Sequence, residues 1–395
     1  MTNKLIKLLN EHEEYRSKCI NLSPSENALS PNAKHALQND MGNRYYFETA
    51  YSPSEGASYS YAGSKYIGEV LKLCQQTAKI IFDAEYVSVY PVSGHLANIG
   101  VICAFTSASD SIICNSPKSG GYPGLDQNRL PKYLGLNVNY FPMREDISEM
   151  IDIPKTIDLI EKSKPKLIIF SSAHTLFPPN ISALVDVCTS VNCKIVYDGS
   201  HPLGLIAGRT FINPLKDGAD ILIGGTQKSF PGPQGAIIAT NKFVDEIKDI
   251  EHFVIVDNPH FHRIAALTVS LLEMEQFGNE YAKQVIRNSK VLARALADYG
   301  LPVLYQKFGF TESHMLKIKI FPEYKKFTTN LESANIIVDN AGRIGTNEMT
   351  RMGMKENEMK EIAGFIDSIY NNKNLEMIKE KVIKLRSKFQ KVKFC

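Results

Sequence analysis

Three short stretches put reactive side chains where a strand or helix ends. The first is Ser93-Gly94-His95, which follows the apolar run that starts at Val87 and precedes a second apolar run from Leu96. A strand turning into a helix there leaves backbone N–H groups and a hydroxyl at the helix N-terminus, where the dipole favours a phosphate. A plain N-cap would use the same serine. The second is Asp198, directly after Lys194-Ile-Val-Tyr197, with His201 three residues further on. A carboxylate at the carboxyl end of a buried strand stands where α/β proteins bind ligands. It serves there as a turn residue or as the partner of a cationic ring nitrogen. The third is Lys228, preceded by Thr226-Gln227, followed by a Pro-Gly-Pro turn, and 30 residues beyond Asp198. A lone lysine is usually a solvated charge, but an amine at a sheet edge is suited to forming an imine with a carbonyl compound.

Each stretch is ambiguous alone. Taken in order, a phosphate cradle, an aspartate and a lysine at the ends of successive strands match the three anchors of pyridoxal 5′-phosphate: its phosphate, its ring nitrogen and its aldehyde. The elements that must position them are short β-branched runs at Tyr86–Tyr90, Ser111–Cys114, Lys166–Phe170, Lys194–Tyr197, Ile221–Ile223 and Ala236–Ala239. They are apolar on both faces and separated by helix-length segments, which predicts a mixed, mostly parallel sheet covered on both sides. A helical pattern from His262 to Tyr299 stops at Gly300-Leu-Pro302. A strand near Met315–Ile320 and C-terminal helices follow it. The expected organisation is α/β, with an N-terminal helical arm (1–40), a large cofactor-binding domain (41–275), and a linker helix with a small α+β domain (276–395).

Composition narrows the function classes. The chain has 395 residues, 44% hydrophobic and 22% charged, as ordinary globular proteins do, and a net charge of only +3. That excess is local. Lys379 to Cys395 carries seven bases and one acid, so the rest of the chain is near −3. With Val382, Ile383, Leu385 and Phe389 at helical spacing, the tail reads as a helix with a solvated basic face rather than a nucleic-acid or membrane patch. The longest stretch free of charged residues, Tyr86 to Ser109, is broken by Pro91, Gly94, His95 and Asn98, so no membrane span is expected. The first residues lack a signal-peptide core, and seven cysteines without a CxxC pair argue for reduced thiols and no metal site. A cytoplasmic protein is the expectation.

Over nearly its whole length the chain resembles the serine hydroxymethyltransferase family of fold type I pyridoxal phosphate enzymes. Leu22-Ser-Pro-Ser25-Glu26-Asn27 is similar to that family's Ser-Glu-Asn motif, which implies that Ser25 touches the substrate carboxylate. Asn43-Arg44-Tyr45 resembles its Asn-Lys-Tyr, implying that Tyr45 reaches the neighbouring subunit's cofactor phosphate. Tyr61-Ala-Gly resembles Tyr-Gly-Gly and makes Tyr61 an active-site tyrosine. Ser93-Gly94-His95 falls on the phosphate-binding Ser-Gly-Ser. Gly120-Gly121-Tyr122 falls on Gly-Gly-His, so Tyr122 would stack on the pyridine. Ser172-Ala-His-Thr resembles Ser-Ala-Tyr-Ser, whose first serine reaches the phenolic oxygen. Asp198-Gly-Ser-His201 matches Asp-x-Ala-His, Lys228 falls on the imine-forming lysine with Thr226 beside it, and Gly342-Arg343-Ile-Gly-Thr346 on the segment whose arginine clamps the α-carboxylate. A guanidinium suits that task, since it binds carboxylate through two parallel hydrogen bonds.

The chain also departs from the pattern. Gln227 replaces the histidine before the lysine, Gln234 the arginine after Gly-Pro, and His95 the second phosphate serine. Asp257-Asn258-Pro259 stands for Gly-Gly-Pro. The loop after Tyr45 is longer, so the family's acid/base glutamate lands on Phe47, with Glu48 the nearest substitute and Glu55 an alternative. Segments that would hold folate do not match between Tyr122 and Tyr140, which leaves tetrahydrofolate unsupported. The resemblance implies Cα–Cβ cleavage or formation of a β-hydroxy amino acid of the serine/glycine type, with an aldehyde or one-carbon carrier as second partner. It also implies a homodimer or tetramer sharing active sites. A folate-independent aldolase or transaldolase is the alternative within the class, and an aminotransferase or decarboxylase lies further off. A non-catalytic binding subunit would have no need of Lys228, Asp198 and Arg343 together.

Overall fold

The structure is a computed structural model that describes residues 1–47, 61–320 and 323–395. Along the chain the strands are β1 (Ile20–Asn21), β2 (Tyr86–Ser88), β3 (Ser111–Cys114), β4 (Asn137–Tyr140), β5 (Leu167–Phe170), β6 (Lys194–Asp198), β7 (Ile221–Gly225), β8 (Ala236–Thr240), β9 (Met315–Lys317), β10 (Ile336–Ile337) and β11 (Arg343–Gly345). They fall into two compact units, one of Leu29–Asn279 and one of Met1–Ala28 with Glu280–Cys395. The N-terminal segment thus groups with the C-terminal third of the chain.

The larger unit holds a seven-stranded sheet in the order β2-β8-β7-β6-β5-β3-β4. Strands β3 to β7 pair in parallel, and β8 runs antiparallel to both its neighbours, β7 and β2. Every residue of β5, β7 and β8 is buried. Side chains alternate across a strand, so burial of all of them requires cover on both faces. The pairing directions put the carboxyl ends of β2, β3, β5, β6 and β7 at one edge of the sheet. Strand β4 has no counterpart among the expected strands. It lies at the sheet margin, paired only with β3, and its Asn-Val-Asn-Tyr sequence is at most half-buried.

In the smaller unit β1 pairs in parallel with β10, and β9 antiparallel with β11. A core that includes Leu292, Leu316, Leu331, Ile344, Ile362 and Leu385 lies under them. The long helix spans Phe261–Asp298 and stops before Gly300, whose φ of +85° favours a residue without a β-carbon. The basic tail forms the helix Leu375–Arg386, buried along Ile378, Val382 and Leu385 with Lys381 and Lys384 exposed. Arg386 is the exception: it turns inward and donates from Nε to the Cys19 carbonyl at 3.0 Å. Among the described residues no helix is long and apolar enough to cross a membrane.

Candidate active site

The strand ends of the larger unit bring the predicted residues to one sheet edge. After β2 the chain turns through Pro91 into the helix Gly94–Phe105, and Ser93 is its N-cap, its hydroxyl accepting from the Leu96 N–H at 3.2 Å. The Ser93 of the expected phosphate cradle is thus seen as the helix N-cap. Orphan first-turn N–H groups stay at the helix end, where an anion is stabilised.

Asp198 closes β6. One carboxylate oxygen accepts from the Ser200 N–H at 3.0 Å, and the other from the Asn98 side chain at 2.8 Å. Asn98 also donates to the Gly94 carbonyl at 3.0 Å, so it ties the first turn of the helix Ser93 caps to the aspartate. Sequence reasoning missed this role. The signal available was its spacing, one turn beyond Gly94 on the inward face. The Ser200 hydroxyl accepts from the Gly225 N–H at 2.9 Å and would lie 3.2 Å from a β-carbon placed on Gly94. Glycine at 94 thus lets the β2, β6 and β7 ends converge.

Lys228 follows β7 on a turn that Thr226 fastens. The Thr226 hydroxyl donates to the Pro233 carbonyl at 2.5 Å and its N–H to Gly235 at 3.0 Å. Its hydroxyl is therefore engaged in holding the lysine turn. Ser229, next to the lysine, donates to the His201 carbonyl and accepts from the Gly204 N–H at 3.0 Å, which joins the Asp198–His201 and Lys228 turns. Gln227, beside the lysine, has a buried side-chain oxygen without a hydrogen-bond partner, as has Asn98. Buried orphan acceptors are rare in folded chains, and a polar ligand satisfies them.

Tyr122 arrives over the same edge after β3. Gly120 has a φ of +79°, and a β-carbon on Gly121 would fall 2.1 Å from the Asn115 carbonyl, so this approach needs both glycines. The Tyr122 hydroxyl meets His95 Nδ1 at 3.1 Å, with the rings edge-on. Burial, then the charge of Asp198, push its phenol above the ordinary range. Ser172 pairs with Gly121 in an isolated bridge, and its hydroxyl accepts from the His174 N–H at 3.1 Å. Ser172 and Asp198 also line a cavity of about 480 Å3 with Asn115, Phe170, Phe177 and Tyr197. The cavity wall includes neither Lys228 nor Ser93.

Tyr45 and Tyr61 pack on each other, ring centroids 5.3 Å apart and 48% and 43% exposed, and Tyr61 also meets Phe47, which leads through His252 to Tyr90. Glu48 and Glu55 lie outside the described residues.

In the smaller unit β11 carries Arg343, which donates from Nε to Asp339 at 2.7 Å and approaches the Ser25 hydroxyl at 3.5 Å from Nη2. The loop holding Ser25 is fixed by the Gly345 N–H donating to the Leu22 carbonyl at 2.7 Å, and by His314 at 3.2 Å from the Pro24 carbonyl. The structure thus joins the predicted arginine and serine, 318 residues apart in sequence. It adds Asp339, one helical turn's spacing upstream, as the group that orients the guanidinium.

A sheet edge with an amine, a braced carboxylate and a helix N-terminus fits pyridoxal 5′-phosphate, and the architecture is that of a fold type I pyridoxal phosphate enzyme. The sequence profile of the serine hydroxymethyltransferase family matches residues 1–366. The chain is 34% identical to the serine hydroxymethyltransferase of Methanopyrus kandleri, over 99% of this chain and 94% of that one. It is 36% identical to that of Staphylothermus marinus, over 99% and 92%. The crystal structure of L-threonine transaldolase from Pseudomonas fluorescens superposes with a TM-score of 0.90 at 23% identity, over 98% of this chain and 91% of that one. The chain belongs to the serine hydroxymethyltransferase family. It is a pyridoxal phosphate-dependent transferase of the hydroxymethyltransferase/aldolase type.

Proposed function

We propose that this enzyme makes and breaks the Cα–Cβ bond of β-hydroxy amino acids, with serine and glycine as the reference pair, using Lys228, Asp198 and the Ser93–His95 helix end as its cofactor site. The observation carrying this reading is that Asp198 and Lys228 leave adjacent parallel strands, β6 and β7, on turns fastened together through Ser229 and His201. When bound, the cofactor takes up the electron pair released at the substrate's α-carbon. Lys228 supplies the amine that tethers it. Asp198, whose two oxygens accept from Asn98 and the Ser200 N–H, would face the ring nitrogen and favour its protonated form. The first-turn N–H groups at Gly94 and His95 would hold the phosphate, Tyr122 would cover the ring and Ser172 would meet the phenolic oxygen, with Thr226 setting the lysine turn.

On the substrate side Arg343, oriented by Asp339, receives the α-carboxylate with Ser25. Fixing that group selects which bond at the α-carbon breaks. A base at the β-hydroxyl takes its proton as the bond opens; Glu48 or Glu55, Tyr61, and His174 or His201 are the candidates. Gln227 keeps a hydrogen-bonding group beside the lysine but removes the titratable histidine. Together with the unmatched folate segments, this supports an aldehyde partner handled without tetrahydrofolate.

Tyr45 is assigned to the neighbouring subunit's phosphate in a homodimer. Its exposure supports this, as does the Thr2–Ser17 helix, which buries none of its residues and exposes Leu5, Ile6, Leu8 and Leu9. Seven cysteines without a disulfide support a reducing, cytoplasmic setting.

The test is purified enzyme with glycine and a panel of aldehydes, with and without tetrahydrofolate, scored by β-hydroxy amino acid formed. Product from glycine and a free aldehyde without folate is expected. Transfer of the amino group instead, leaving the aminated form of the cofactor, would replace this reading with an aminotransferase.

A further inference from the structure

Arg263 is 5% exposed and its charge has no counter-ion among the described residues. Its Nη2 donates to the carbonyls of Val89 at 2.5 Å and Tyr90 at 3.3 Å, while Nε and Nη1 are buried without a hydrogen-bond partner. Cys74, the titratable group beside it, is pushed up to about 11 by burial and so remains a neutral thiol at pH 7. Burial lowers the guanidinium itself to about 10, which leaves it charged at pH 7. A buried cation with two idle donors is costly unless an anion pairs with it.

Its place in the fold indicates which anion. The carbonyls it holds end the stretch that turns through Pro91 and Val92 into Ser93, and the Ala236 N–H pins the Pro91 carbonyl at 2.8 Å. On the other side the guanidinium packs on Gly235, where an added β-carbon would meet Nη1 at 2.5 Å. Gly235 follows Gln234, the position at which the resembled family carries an arginine. Where position 234 has no positive charge, Arg263 of the Phe261–Asp298 helix brings one against the next residue, Gly235.

We infer that Arg263 is a positioning residue that backs the phosphate cradle with positive charge and holds the approach to Ser93, a relocated equivalent of the arginine missing at 234. This rests on the assignment of Ser93–His95 as the phosphate site. The experiment compares Arg263→Gln, which keeps a donor for the carbonyls but loses the charge, with Arg263→Lys, which keeps the charge. Each holoenzyme is stripped and titrated with pyridoxal 5′-phosphate and, separately, with pyridoxal, which lacks the phosphate.

The glutamine variant should bind pyridoxal 5′-phosphate on the order of tenfold more weakly, with pyridoxal affinity unchanged and the lysine variant close to wild type. Equal loss for both ligands, unchanged affinity for both, or matching defects in Gln and Lys would overturn the inference. Should the glutamine variant not fold, the lysine variant decides: retained preference for the phosphorylated ligand supports the role of charge, and its loss overturns it. Ser93→Ala with Gly94→Pro, titrated in parallel, checks the cradle separately. If that pair leaves phosphate preference intact, the cradle assignment fails independently of Arg263.

Discussion

At Lys228 the proposed chemistry rests on a single nitrogen, and removing it tests fold and function separately. Lys228→Ala should lose at least about 10³-fold in turnover and the lysine-bound cofactor absorbance, while far-UV circular dichroism is retained. Turnover at wild-type levels would remove the assignment. If Arg343 binds the substrate carboxylate as proposed, Arg343→Ala should cost roughly 2–4 kcal/mol, read as a raised KM for the amino acid. An unchanged KM would show that the carboxylate binds elsewhere. Asn98 acts through another residue. Its truncation leaves one Asp198 oxygen without its donor, so Asn98→Ala should weaken cofactor affinity by about 1 kcal/mol, measured by titration of the stripped enzyme.

At the scale of elements, close approaches of backbone fix where the side chains stand. The Gly120-Gly121 turn carries Tyr122 past Asn115 with no space for a β-carbon. Gly121→Ala should cost about 1–3 kcal/mol, seen as a lower denaturant midpoint, and should displace Tyr122 from His95. In the smaller unit, Asn21 donates to Glu348 at 2.6 Å, yet desolvation pushes that carboxyl above its ordinary value of 4.5. A carboxyl raised in the folded state holds its proton more tightly there. Its contribution is therefore present below the unfolded value and is lost as pH rises through the folded one. Glu348→Gln should raise Tm at pH 7 relative to wild type, the gain disappearing below about pH 4. A gain that persists in acid would point to packing instead.

For the whole molecule, exposed apolar side chains argue for assembly. Leu5 and Leu9 lie one turn apart on a helix that buries nothing of its own. Sedimentation should show a dimer or tetramer, and Leu5→Lys with Leu9→Lys should shift it toward monomer with loss of turnover. An active monomer would end the proposal of shared sites.

The sequence alone placed six of the seven strands of the large sheet and the residues at their ends. β-branched runs bury on both faces, and such a run must end where a polar residue or glycine begins, so Asp198 and Lys228 were legible as edge residues. It did not reveal β4, because an edge strand buried on neither side has no apolar run to show. It also left open whether Ser93 capped a helix or faced a phosphate; the fold shows the cap, at a helix end where an anion would be stabilised. Only the tertiary structure brought Asn98 to Asp198, Asp339 and Ser25 to Arg343, and Arg263 to Gly235. These contacts join residues distant in sequence or on different elements, and their partners are chosen by packing rather than by local preference. A side chain's neighbours across a fold leave no periodic trace in the chain that encodes them.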